Sequence, residues 1–117
     1  MKVAAPSDSR TAYLAVIHSM IWPFEPDAVY EAPETSGVYA LWRYGEVIFY
    51  GHASRGESTI RSCLAEHLAG LRGPKTRTAT HCSWETSATP EAREMELLFR
   101  FRASFKRLPS GNMAGTN

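Results

Sequence analysis

Two tyrosines beside glycines, one histidine, a first-turn glutamate and a concentration of arginines are the side chains here best equipped for chemistry. Gly37-Val38-Tyr39 and Phe49-Tyr50-Gly51 stand close together, with Tyr44-Gly45 between them. His67 follows Cys63 in STIRSCLAEHLAG, and Glu94 follows Thr89-Pro90 in EAREMELLFRFRASFKR. A phenol can orient or deprotonate a water, but with a pKa of about 10 it is a poor base unless nearby cations lower it. A carboxylate can hold a hard divalent cation, and a guanidinium suits bidentate contact with phosphate.

Formal net charge is only +1, so the chain lacks a global basic footprint. Residues 1–34 balance at −3 and residues 35–117 at +4, with most of the excess in 55–77 and 93–107. Such a locally basic surface either attracts phosphates or is simply a solvated arginine face. Each candidate also has a plainer reading. Tyr39 suits a half-buried strand, and Glu94 suits the positive end of a helix. His67 borders an apolar stripe where a packed histidine is common. Cys63 reads as buried filler, and Asn112 after Gly111 as a turn residue. His81 and Cys82 are neighbours that a strand would point apart, which argues against a joint metal site. His52 has no evident task but follows Gly51 directly.

The elements that must position these residues are legible in outline. SRTAYLAVIHSM, residues 9–20, has the helical period, with Tyr13, Val16, Ile17 and Met20 on one face. Trp22-Pro23 and Pro26 should end it. Strands are expected at about Gly37–Arg43 and Glu46–Gly51, antiparallel across the Tyr44-Gly45 turn. Ser58 or Thr59 can cap a helix whose stripe is Ile60, Leu64 and Leu68, with Gly70 as its stop. GPKTRT reads as a loop and residues 79–88 as a third strand. A long helix opens at Thr89-Pro90, with Met95, Leu98 or Phe99, and Phe105 toward the core, and ends before Pro109.

The order α-β-β-α-β-α predicts an α/β (α+β) domain. A small three-stranded mixed or antiparallel sheet would be flanked by helices. Residues 1–35 form an N-terminal helix and acidic lead-in, 36–112 the main domain and 113–117 a tail.

A chain of 117 residues suits one core. Its longest apolar runs fall far short of the roughly 20 residues of a membrane span. MKVAAPSDSR lacks the charged-then-apolar order of a signal peptide. Two cysteines, neither in a CxxC pair, cannot make a disulfide framework, so a reducing cytoplasm is the expected location.

Gly-Val-Tyr in the first strand, a Tyr-Gly end to the second, an Arg- and His-bearing helix, a later Glu-x-x-Leu-Leu helix and a terminal Asn occur in this order. Together they resemble the GIY-YIG nuclease superfamily over about residues 36–112. The resemblance implies a metal-dependent endonuclease hydrolysing phosphodiester bonds in DNA, or a catalytically impaired nucleic-acid-binding or interaction module on the same fold. It implies one Mg²⁺ or Mn²⁺ held by Glu94, and Tyr39 as general base or orienter of the attacking water. His67 would position groups or relay protons, with Tyr50 and Arg61 supporting. Gly37 and Gly51 would permit close backbone approach, and Asn112 would support the site. Arg55, Arg61, Arg72 and Lys75 would contact DNA. So small a domain would bind DNA weakly alone, form a homodimer or rely on a targeting partner.

Two positions depart from the pattern. Phe49 stands where the second motif has its tyrosine, and Cys63 stands where the arginine four residues before His67 is expected. At about 100° per residue, Arg61 lies about 120° from His67 around the helix.

Overall fold

The computed structural model describes residues 16–54 and 56–113. Its elements are α1 (Val16–Ser19), β1 (Trp22–Pro23), α2 (Pro26–Glu31), β2 (Gly37–Arg43), β3 (Glu46–Ala53), α3 (Ile60–Leu68), α4 (Pro74–Arg77), β4 (His81–Thr86) and α5 (Pro90–Phe105). A 3-10 turn at Ser110–Asn112 follows. The sheet has four strands rather than three, in the order β1-β4-β2-β3, and every pairing is antiparallel. The additional strand is Trp22-Pro23, whose two residues are too few to show alternation. It pairs with Cys82 and His81, and the Trp22 ring stacks on Trp84 at 5.4 Å. Pro23 has no N–H to donate and is tolerated because β1 is an edge.

Two short helices stand where turn and loop were expected, and both begin at a proline. Pro26 opens α2 and Pro74 opens α4. A proline reads as punctuation in sequence, yet its fixed φ and missing N–H suit the first helical position. At the other end of the chain's order, residues 9–15 of the expected first helix, Tyr13 included, lie outside the described residues. Of its remaining core set, Ile17 is buried while Val16 and Met20 are exposed.

β2 is central and sorts the interior into two layers by strict alternation. Tyr39 and Leu41 face α2 and α3, packing with Val29, Ile60, Cys63 and Leu64. Val38 and Ala40 face α1 and α5, packing with Ile17, Leu97 and Phe101. The β2–β3 turn places Tyr44 at φ 51° and Gly45 at φ 85°, the left-handed pair that matches the twist of a two-residue hairpin. The register slips between Leu41 and Trp42, which pair with Phe49 and Val47, so Ile48 is the extra residue of a bulge. Ile48 and Phe49 consequently both pack in the α2–α3 layer.

On α5 the buried row is Leu97 and Phe101, with Leu98 packed beside it, whereas Met95, Phe99 and Phe105 are exposed. Met95–Phe99 and Leu97–Phe101 are both i,i+4 rows, so apolar spacing alone could not choose between them. The helix is oriented by the sheet it meets.

Gly37 is enclosed: a Cβ there would lie 2.3 Å from the Glu85 carbonyl oxygen and 2.7 Å from Ile60 Cδ1. The carbonyl belongs to the β2–β4 ladder and cannot yield. Gly37→Ala is therefore expected to lower stability by about 2–3 kcal/mol, read as a fall in the urea midpoint at constant slope.

Candidate active site

Tyr39 is placed by its partner across the ladder. It pairs with Gly51, and a Cβ at Gly51 would stand 2.5 Å from the Tyr39 hydroxyl oxygen. The phenol thus lies flat across a strand position with no side chain, directed toward α3. There its hydroxyl is 3.0 Å from His67 Nε2, and His67 Nδ1 is 2.9 Å from Thr76 Oγ1 on α4. With hydrogen on Nδ1, the imidazole donates to the threonine and accepts from the phenol. Tyr39 and His67 are each only 1% exposed.

Helix α3 holds its histidine firmly. Thr59 caps the helix by accepting from Ser62 N, while Ser62 Oγ accepts from Thr59 N. Ile60 and Leu64 anchor the buried side.

Burial sets the charge states. It is the main cause raising the Tyr39 pKa above its ordinary 10.0; the Cys63 thiol adds to it, Arg72 opposes it, and Glu94 adds a smaller rise. Tyr39 is therefore a protonated phenol at neutral pH. Burial, reinforced by the Arg72 charge, pushes His67 down from 6.5 to about 4, so the imidazole is neutral.

Glu94 reaches the same end of β3 from the opposite layer. Its Oε1 is bonded to Nδ1 of His52, and Glu91 Oε2 stands 3.9 Å from His52 Nε2. The Glu94 side chain keeps 18% exposure. Among the described residues, no group of three or more His, Cys, Asp or Glu could hold a metal as a ready-made cage. A single carboxylate fits Mg²⁺, which keeps several waters and takes one or two protein carboxylates. His52 would have to yield its hold on Glu94 as the ion bound.

The other expected residues fall in different places. Tyr50 is on the far face: its ring packs in the Leu97–Phe101 layer and its hydroxyl lies 2.6 Å from His18 Nε2. It borders an apolar groove of about 720 Å³ with Trp42, Val47, Leu97 and Phe105, away from Tyr39. The bulge at Ile48 lies before Phe49, and Phe49 rather than Tyr50 shares the face of Tyr39. Its ring centroid is 6.0 Å from that of Tyr39 and 4.9 Å from that of His67.

Arg61 also turns away. Its Nε donates to the Ala32 carbonyl at 2.9 Å, it lies 3.5 Å from Glu34, and its guanidinium covers the Tyr30 ring. Asn112 clamps β3: Oδ1 accepts from Tyr50 N and Nδ2 donates to Tyr50 O, both at 2.9 Å. Arg72 and Lys75 line a small cavity of about 120 Å³ with Phe49, His67 and Thr76. Arg55 lies outside the described residues.

Sequence reasoning left two contributors without a task. His52 was within reach, because alternation from Gly51 sends it toward α5. Thr76 gave no local signal, since it lies on an unforeseen turn of helix.

The chain is similar in fold to the GIY-YIG N-terminal endonuclease domain of UvrC from Thermotoga maritima bound to its catalytic divalent cation, magnesium. Identity is 19%, the TM-score is 0.54, and the match covers 74% of this chain and 93% of that one. A point mutant of that domain with a tyrosine replaced by phenylalanine, also bound to its catalytic divalent cation, matches at 20% identity and TM-score 0.54, with 74% and 93% coverage. A third form, with an asparagine replaced by alanine, matches at 19% identity and TM-score 0.54, covering 74% and 92%. No protein-family model and no curated protein matches the sequence. The chain has a GIY-YIG-like fold.

The buried histidine makes stability depend on pH. His67 has a folded pKa of about 4 against an ordinary 6.5, so between these values the unfolded chain binds more protons. Its contribution is fully present above pH 6.5 and is lost as pH falls toward 4. The urea midpoint is expected to fall across this window, and to fall less steeply in His67→Gln.

Proposed function

We propose that this protein is a metal-dependent endonuclease that hydrolyses phosphodiester bonds in DNA. The observation that supports it is the buried Tyr39–His67 hydrogen bond on a GIY-YIG-like fold, with the Glu94 carboxylate held by His52 across β3. The neighbouring UvrC domain is an endonuclease bound to magnesium, and a single-carboxylate site at Glu94 suits the same kind of ion.

Hydrolysis requires a water oxygen to bond to phosphorus as the bond to the 3′-oxygen breaks. The phenol of Tyr39 is too weakly acidic to act as a standing phenolate. It serves as a relay: it takes the water's proton while passing its own to His67 Nε2. His67 then carries the charge, with Nδ1–H directed to Thr76. A divalent ion on Glu94, when bound, would neutralise charge on a phosphate oxygen and the departing oxygen. Because Tyr39 is buried, a neighbouring side chain must shift to admit the water.

A second reading is a catalytically impaired nucleic-acid-binding or interaction module. Phe49 favours it, because no hydroxyl stands beside Tyr39 from the second motif. Against this, a tyrosine-to-phenylalanine form of the UvrC domain holds its cation.

Among the described residues, no helix is long and apolar enough to cross a membrane. The two cysteines are unpaired, which suits a reducing cytoplasm. A targeting partner or a homodimer would add DNA contact to that made by this domain.

Supercoiled, linear and single-stranded DNA incubated with the protein in Mg²⁺ or Mn²⁺ tests the reading. Cleavage is expected, with Glu94→Gln reducing it by at least about 100-fold and Tyr39→Phe impairing it. Salt-sensitive DNA binding without metal-dependent cleavage would establish the second reading instead.

A further inference from the structure

The relay formed by Tyr39 and His67 has no positive partner on its own helix. Arg61 is committed to Ala32, Glu34 and Tyr30, and Cys63 occupies the turn before His67. The backbone beyond α3 brings in a different cation. Gly70 takes φ 82°, which a residue with a side chain would rarely adopt, and the chain reverses there. Gly73, at φ 105°, turns it again before α4. Between these two glycines, Arg72 is laid back along α3. Its Nε donates to Glu66 Oε1 at 2.8 Å, and its Nη2 is 3.9 Å from Cys63 Sγ.

The geometry points to Arg72 as the phosphate-binding arginine of the site, reaching from a loop to stand over Cys63 and seating a phosphodiester in the cavity it shares with His67 and Lys75. The inference rests on the nuclease reading for the identity of its ligand. Glu66 occupies Nε, which fixes the plane of the guanidinium and leaves N–H groups on the two Nη atoms for a forked contact. The cavity of about 120 Å³ is lined by Phe49, His67, Arg72, Gly73, Lys75, Thr76 and Gly111, so two cations and the relay histidine share one small space. The Arg72 side chain is 39% exposed, open to an incoming phosphate. Its charge also reaches the relay, favouring ionisation of Tyr39 and disfavouring that of His67.

The test uses the full chain and a fluorescein-labelled DNA duplex. Binding is read by anisotropy at several NaCl concentrations without metal, and cleavage in Mn²⁺. Arg72→Gln is expected to lower the magnitude of the log–log salt slope by about 0.9 and to reduce cleavage about 100-fold. Arg72→Lys, a point charge without a fork, should keep the slope and recover only part of the cleavage. In NMR titration the His67 pKa should rise in Arg72→Gln, which reports that the Arg72 charge reaches the relay. A wild-type salt slope in Arg72→Gln overturns the proposal, as does weaker binding with undiminished cleavage. If the wild type cuts no DNA, the nuclease reading falls, and the salt slope alone decides whether Arg72 binds phosphate.

Discussion

Tyr39 lies across Gly51, and the rest of the site depends on that contact. A side chain at Gly51 would occupy the space of the phenol, which would have to leave α3 and lose His67. The pair sits in the ladder between β2 and β3, whose register is held by the left-handed Tyr44-Gly45 turn and the bulge at Ile48. Asn112 then clamps the backbone of Tyr50, the residue before the glycine, from the end of the chain. Hairpin, bulge and terminal clamp thus serve one local requirement: a bare strand position opposite a tyrosine.

The same burial that positions Tyr39 and His67 governs their chemistry. A buried hydrogen bond between them adds only about 1 kcal/mol net, but leaving either group unpaired would cost about 1–3 kcal/mol. The low-dielectric setting disfavours both a phenolate and an imidazolium, so neither charge stands permanently beside the other. The Tyr39–His67–Thr76 line is instead an unbroken run of hydrogen bonds between neutral groups. The charged groups are at the margin: Glu94 with His52 on one side of the sheet's end, Arg72 with Glu66 on the other.

Much of the fold was legible. The hairpin, α3 with its Thr59 cap, β4 and α5 follow from β-branched and aromatic runs, capping residues and a proline at the helix start. The misses have common causes. Trp22-Pro23 is too short to show a period, so the fourth strand was invisible. Pro26 reads as a stop and Pro74 as part of a loop, although each begins a helix. On α5, two apolar rows competed, and only contact with β2 and β3 selected Leu97 and Phe101.

For the site, the sequence by itself determined which residue kinds were at hand and their order: Tyr39 and Gly51 in paired strands, His67 on the middle helix, Glu94 on the last and Asn112 after it. Tertiary structure decided which side chains meet. It turned Tyr50 toward His18 and Arg61 onto Tyr30, joined His52 to Glu94, and folded Arg72 back over Cys63. The physical reason is range. Secondary structure fixes the face on which a side chain emerges through backbone geometry a few residues long. The partner it meets depends on where turns such as Gly70 and Gly73 redirect the chain, and on which of several available charges packs closest.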